Sequence, residues 1–453
     1  MQIVIKKISA FLFIFICYTG WLTGLTFNFT ECKMFPNYNM LTEAFINRSL
    51  SIQEHPAVDY ASLNGNRYLY SGPLPAILRF PFTLVYGKRI PTGIMIALFC
   101  TGISLLFRNL LEELTPIAQR EAFVRVKNIF AITFSINGFS LLMVTIPSIH
   151  HESICTAMFF LMISLYCLVK IINNDYRISI RMSFLIGLSL AMCIASRFSY
   201  LFSIIFIGCI LLFGFQQNWP KIPQRKTLQA LAIIIGLGIL TMTSLMWYNY
   251  FRFGDFFEFG IQYITSLYSD YFKQYGFFRF DHLPYNIWSM FFRIPALTPN
   301  FPFIELPTYI LKSQSFNLSP FFLINANELC ASVFCLLPIT IFSAVPLISQ
   351  KLLFTSGLKK FYLILLTVFL LQILPTALSV ASVARYYYDF LPILLMLSYI
   401  GLISLKLNYQ VSDKLILVLG LLSIVLSFAL PVNGIVFYSQ YIQYASPLLS
   451  FFF

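Results

Sequence analysis

LQALAIIIGLGILTMTSLMWYNYFRFGDFFEFGIQY, residues 228–263, joins two kinds of sequence without a linker. Its first part, Leu228 to Tyr248, is a run of about twenty almost wholly apolar residues, enough for an α-helix to cross a hydrocarbon core. Its second part sets Arg252, Asp255 and Glu258 among aromatic rings, as at the headgroup level of a membrane. Similar apolar runs occupy Ile8 to Phe27, Pro91 to Leu106, Ile129 to Pro147, Ile154 to Ile171, Met182 to Ala195 and Tyr200 to Phe215. Others follow at Leu329 to Ile348, Phe361 to Val380, Phe390 to Leu405 and Leu415 to Pro431. The chain has 453 residues, 58% hydrophobic and 10% charged, with a mean hydropathy of +0.79, outside the range of soluble domains. The expected fold is all-α, a polytopic transmembrane helix bundle of about eleven spans. Strand alternation is absent, which argues against a barrel.

Charge orients the bundle. Lys6 and Lys7 precede the first run, and alternate short connections are basic: Arg120 with Arg125 and Lys127, Arg177 with Arg181, Lys221 with Arg225 and Lys226, Lys351 with Lys359 and Lys360, and Lys406 with Lys414. The positive-inside rule places these connections and the amino terminus in the cytoplasm. The net charge of +13 is then a topological signature, and nucleic-acid binding is not implied. The first run is long and lacks a small-x-small cleavage site, so it reads as an anchor. Most of the nine Cys fall within expected spans, Cys32 excepted, and no disulfide framework follows. The chain reads as a single membrane domain, 1–453, with two outer loops at about 28–90 and 249–328.

The first outer loop suits a surface helix from Tyr38 to Leu50, with Met40, Leu41, Phe45, Ile46 and Leu50 on its apolar side. Asn64-Gly65 marks a tight turn. Pro73 to Tyr86 is apolar but short, and Arg79 and its prolines argue against a span. The loop carries Glu43, Glu54, His55 and Asp59 at the water boundary, where solvated loop charges are the plain alternative. The turn IPSIHHESIC holds His150, His151 and Glu152; Glu152 also suits a helix start, and the spacing is not that of a zinc site. ASRFSY places Arg197 between two short spans. SVARYYYDFLP places Arg385 and Asp389 four apart, on one face of an α-helix, where a structural ion pair is the alternative. Arginines at such depths are costly and usually face a partner or a cavity. Arg197, Arg252 and Arg385 beside Glu152, Asp59 and Glu258 would suit an anionic, lipid-linked ligand.

GNRYLYSGPLPAILRFPF, HHES, NYFRFGDFFEFGIQY and ARYYYDFLP, in this order, resemble motifs of the GT-C glycosyltransferases. The similarity is to a bacterial branch related to the dolichyl-phosphate-mannose protein mannosyltransferases, and it runs from about Asn37 to Pro392. It implies a multi-pass protein of the bacterial inner membrane that moves a sugar from a polyprenyl-phosphate donor to a lipid, glycan or protein acceptor of the envelope. In that superfamily a carboxylate of the first outer loop acts as base. The better-known members carry paired acidic residues just after the first span, whereas this chain offers Glu31, then Glu43 and Asp59. No Asp-x-Asp triplet lies on the outer face, so neither a divalent metal nor another cofactor is expected.

The residue types fit that chemistry. The acceptor hydroxyl needs one base, with Asp59 the first candidate and Glu43 the second. The leaving phosphate needs cations and no strong acid, and arginine forks suit it. A single displacement would invert the anomeric centre. Glu152, His151, Arg197, Arg252, Glu258, Arg385 and Asp389 are the candidate substrate-binding residues. Arg252 either binds phosphate or braces the site, while Asp255 and Glu258 hold the loop or the sugar. The competing classes are a secondary transporter, which would show repeats and mid-membrane charges, and a non-catalytic subunit of an envelope-assembly system.

Overall fold

The computed structural model describes residues 2–28, 37–53, 60–87, 89–218, 222–264, 276–311, 324–330, 332–348, 358–379 and 383–442. Their contacts group into two compact units. One comprises Met1–Phe27, Cys100–Ile146 and Phe278–Phe453, the other Asn28–Phe99 and Pro147–Phe277.

Among the described residues, eight helical segments are long and apolar enough to cross a membrane: Thr92–Leu114, Val124–Thr145, Ile149–Asn173, Phe198–Asn218, Gln224–Phe253, Lys359–Leu378, Leu391–Asn408 and Asp413–Val436, the second and the last each made of two consecutive helices. Shorter apolar helices at Ile8–Leu22, Ile180–Ser196 and Pro338–Ile348 fall on the other expected spans. Among the described residues the strands form three two-stranded antiparallel sheets. The protein is an all-α, multi-pass membrane protein.

In the Asn28–Phe99 and Pro147–Phe277 unit, α2 (Asn37–Ile46) packs on α3 (Leu74–Tyr86), and α7 (Ile149–Asn173), α8 (Ile180–Ser196) and α10 (Gln224–Phe253) pack side by side. The helix α2 is shorter than its apolar pattern suggests, because Arg48 adopts a left-handed φ of 57° and ends it. Nor is it one-sided: Asn37, Asn39 and Thr42 are buried too. Two of these polar side chains reach backbone carbonyls, Asn39 Nδ2 donating to Ile90 (3.0 Å) and Thr42 to Ala76 (3.0 Å), while Nδ2 and Oδ1 of Asn37 and Oδ1 of Asn39 are buried without a hydrogen-bond partner, so burial of this face is compensated only in part. The strands β1 (Ala61–Leu63) and β2 (Asn66–Tyr68) form a two-residue hairpin in the register Ala61 to Tyr68. Asn64 and Gly65 both have positive φ, 51° and 78°, the geometry of the tight turn their dipeptide favours. At 13 residues, α3 is about 20 Å long, short of a hydrocarbon core.

The other unit is built on broken helices. The run from Val124 stops at Ile136, and Asn137 caps a new helix, Gly138–Thr145, by accepting from the amides of Phe139 (2.9 Å) and Ser140 (3.1 Å). The freed Gly138 amide donates to Ser427 Oγ (2.8 Å), at the end of the Asp413–Ser427 helix. The expected span Leu329 to Ile348 is likewise not one α-helix. Pro338 holds Leu337 out of the helical region (φ −128°, ψ 71°), and a 3₁₀ segment, Pro338–Ala344, follows. Its backbone is satisfied by serines: Ser423 Oγ accepts from the Ile339 amide (3.1 Å), and Ser398 Oγ donates to the Thr340 carbonyl (3.0 Å). Irregular backbone at membrane depth is tolerated where protein satisfies it in this way.

Gly138 packs so closely that a methyl group would overlap the Ser427 carbonyl. Backbone on both sides leaves little room for relaxation. Gly138→Ala is therefore expected to destabilise the protein by roughly 1–3 kcal/mol or more, read as a lower unfolding midpoint in detergent, whereas Gly208→Ala, which meets nothing, should not.

Candidate functional site

The first turn of α7 builds the centre of the site. Ser148 is its cap: its Oγ accepts from the His151 amide (3.4 Å) and shares a second hydrogen bond with His151 Nδ1 (2.5 Å). His150 shares a hydrogen bond with the Tyr70 hydroxyl (3.4 Å). Glu152 gains from the helix dipole, as its position suggests, but it points inward. It forms an ion pair with Arg79 of α3, and both side chains are 0% exposed.

The pair lies in a polar seam. Arg79 Nη2 donates to Thr92 Oγ1 (3.4 Å), and the guanidinium lies 5.9 Å from the centre of the Tyr38 ring. Arg79 Nε and Glu152 Oε2 are buried without a hydrogen-bond partner. So are Thr83 Oγ1 and Thr156 Oγ1. Thr83 is one turn beyond Arg79 on α3, and Thr156 one turn beyond Glu152 on α7, so each helix presents a charged residue and a hydroxyl on one face. Buried polar atoms without partners cost about 1–3 kcal/mol each, and a protein core does not need them. Burial, and next the Glu152 charge, push the Tyr38 phenol far above its ordinary pKa, so it stays neutral.

Arg252 answers the question its surroundings raise. Gly254, with φ 75°, ends α10, and Arg252 sits in the last turn, where a cation complements the helix dipole. Its Nη1 donates to the Leu69 carbonyl, its Nη2 to Asn249 Oδ1 (2.6 Å) and its Nε to the Tyr248 carbonyl (3.3 Å). The guanidinium also stacks over the Tyr248 ring at 3.9 Å and the Phe253 ring at 4.6 Å. It ties α10 to the chain leaving β2. Asp255 and Glu258 fold the next loop, accepting from the amides of Phe257 (2.8 Å) and Gly260 (2.6 Å). Phe253 packs edge-on to Tyr68 at 5.5 Å, and Ala61 bridges Ile264, which closes this loop onto the hairpin.

Arg197 lies at the same end of the helices, just beyond α8. The preceding Ser196 donates to the Ser153 carbonyl of α7 (3.0 Å), and a methyl on Gly72 would overlap the Ala195 and Ser196 carbonyls, so the chain before α3 is pressed against this end of α8. His151, Glu152, Arg197, Arg252 and Glu258 are thus gathered in one unit and at one end of its helices. Asp59 lies outside the described residues. Glu43 is on α2, and both of its oxygens are held by the fork of Arg89, Oε1 by Nε (2.5 Å) and Oε2 by Nη2 (2.8 Å). The hydrogen-bonded carboxylate raises the Arg89 pKa above its ordinary value. Both side chains are substantially exposed, 56% for Arg89 and 36% for Glu43, so the pair is a surface one. Arg89→Gln is expected to change stability by less than about 1 kcal/mol, with the difference in unfolding midpoint shrinking further in high salt.

Arg385 and Asp389 belong to the other unit. They lie in a 3₁₀ segment, Ala384–Asp389, and not in the α-helix that begins at Leu391. At about 120° per residue the two side chains leave the axis in different directions, so the spacing of four does not put them on one face. Asp389 is buried; Arg385 is half-buried, donates to the Tyr386 hydroxyl (3.2 Å) and lies 4.8 Å from that ring's centre.

No protein-family model matches the chain, and no curated protein matches its sequence. Its fold is similar to that of the oligosaccharyltransferase of Archaeoglobus fulgidus, solved in the apo form, with a TM-score of 0.50 and 11% sequence identity. At that identity the likeness is one of fold alone. The match covers 94% of this chain and 55% of the archaeal one, so the chain spans little more than half the length of its structural neighbour.

Arg79 and Tyr38 are the residues at this site that sequence reasoning passed over. Arg79 counted only as an argument against a span. A lone arginine in a 13-residue apolar helix also demands a carboxylate partner, and that demand is a readable signal.

Proposed function

We propose that this protein is a membrane glycosyltransferase that moves a sugar from a polyprenyl-phosphate donor to a lipid, glycan or protein acceptor of the cell envelope. The likeness of fold to an oligosaccharyltransferase over 94% of the chain carries this reading. The order of the four sequence motifs supports it independently. Transfer takes place on the side of the membrane that holds Glu152, Arg197 and Arg252, opposite the basic connections, by a single inverting displacement. Asp59 is the base; Glu43 is the second candidate, and its carboxylate would first have to leave Arg89. Of the two roles open to Arg252, the hydrogen bonds favour the brace. Arg197 is the cation proposed for the donor phosphate, with His151 and Glu258 lining or supporting the substrate. No divalent metal takes part in this scheme.

The test is turnover of a radiolabelled polyprenyl-phosphate sugar by the purified chain in liposomes, beside a comparison of envelope glycans with and without the protein. Release of polyprenyl phosphate together with one missing envelope glycan supports the proposal. An unchanged envelope and no turnover across hexosyl and pentosyl donors would sink it, and uptake of a small solute into the same liposomes would favour a transporter. The orientation is checked separately. In intact cells, an external thiol reagent is expected to label Ser315→Cys and to miss Arg120→Cys.

A further inference from the structure

At the opposite end of α7 from Glu152, about 32 Å away along the helix, the chain forms a cavity of about 620 Å³. Asn174, Arg177, Ser179, Lys226 and Thr227 give it polar walls, and among the described residues no carboxylate lines it. Ile178, Ile222 and Pro223 supply an apolar rim. Three helix ends meet here: α7 finishes at Asn173, α8 starts after its cap Ser179, and α10 starts after Pro223.

The charges at this place are arranged against the helices' own preference. Helix amino termini favour Asp or Glu, and cations there are destabilising. The first turns of α8 and α10 contain no acidic residue, and they carry Arg181, Arg225 and Lys226 instead. Orientation by the positive-inside rule needs basic residues on this side of the membrane, but it does not need a cavity between two positively polarised helix ends. An anion in the cavity would satisfy both dipoles and both lining cations, as at other helix amino termini. The surroundings then select the kind of anion. Ile180 and Phe184, one turn apart on α8, and Leu228 on α10 are exposed by 54%, 52% and 56%, which continues the apolar rim along the membrane-facing helices.

We infer that this cavity binds the phosphate headgroup of an anionic phospholipid, with Arg177 and Lys226 holding the phosphate and the acyl chains lying along α8 and α10. The site is independent of the glycosyl-transfer reading and serves whatever reaction the opposite face performs. Basic pockets between membrane helices on the positive side are suited to such headgroups.

The experiment uses the full chain in a neutral detergent and reads its unfolding midpoint during titration with phosphatidylglycerol, phosphatidylcholine or inorganic phosphate. Phosphatidylglycerol is expected to raise the midpoint saturably and phosphatidylcholine is not. The double variant Arg177→Gln/Lys226→Gln should require about tenfold more phosphatidylglycerol or worse. The charge-preserving Arg177→Lys/Lys226→Arg should bind within a few-fold of the parent, and Lys359→Gln/Lys360→Gln, which removes the same charge elsewhere, should bind as the parent does. Both target residues are exposed, so folding of the variants is expected, and lipid retention in native mass spectrometry gives a second readout on the folded fraction. Equal loss in the Lys359/Lys360 control would mean unspecific surface charge and overturn the site. Equal stabilisation by inorganic phosphate would overturn the lipid as its occupant, and an unaffected Arg177/Lys226 variant would overturn the site altogether.

Discussion

Glu152→Leu is expected to cost about 3–5 kcal/mol of stability, because it leaves the Arg79 guanidinium buried at 0% exposure with no counter-charge. A loss of that size shifts a folding equilibrium by a factor of about 150 to several thousand, which should appear as less folded protein in the membrane. Arg79→Met should do comparable damage, by stranding the carboxylate. The double variant Arg79→Met/Glu152→Leu should recover most of the folded protein, since a buried pair replaced by apolar side chains of similar volume is often neutral or better. Unfolding midpoints and membrane abundance of the three variants form the measurement. If the single variants were as stable as the parent, the pair would not be the buried contact described above. Sugar transfer is the second readout. A recovered but inactive double variant would assign the polar seam to the reaction; a recovered and active one would leave it a structural element.

Asp59→Asn is expected to lower sugar transfer by a factor of about a hundred to ten thousand, the usual cost of removing a general base, with protein abundance and donor binding close to the parent's. A solvated loop carboxylate would change almost nothing when neutralised. In the sequence Asp59 follows His55-Pro56-Ala57-Val58 and precedes the Asn64-Gly65 turn, which pairs β1 with β2. Normal transfer in Asp59→Asn together with none in Glu43→Gln would move the base to α2. Full activity in both variants would remove the enzymatic reading itself.

The contrast between what could be read from the residues and what could not follows from the range of the interactions. The spans, the Asn64-Gly65 hairpin and the short apolar α3 depend on local composition, and each is recognisable within its own twenty residues. The break at Asn137-Gly138 was not legible, because the group that satisfies the freed amide, Ser427, lies 289 residues away. The same holds for Ser423, which serves the 3₁₀ segment from 84 residues away. At the site, Glu152 stood out by its position in a turn, but its partner had to be found 73 residues earlier, in a helix read as merely apolar. Arg385 and Asp389 show the reverse error: a spacing of four carries its meaning only in an α-helix, and the local backbone is 3₁₀. Arg252, Asp255 and Glu258 stood out because they were charged among rings, and their hydrogen bonds run to backbone groups of their own unit and to the Asn249 amide.

Two adjacent helices differ in length far more than a bilayer can ignore. The 30 residues of α10 extend over about 45 Å and the 17 of α8 over about 26 Å. Lipid in contact with the short helix must compress, or the short helix must stand upright while its long neighbour leans, and each ångström of mismatch carries a cost of a fraction of a kcal/mol. Membrane thickness is thereby an external variable for this unit. A thinner bilayer is expected to suit α8 and to favour a larger tilt of α10, the helix whose last turn carries Arg252.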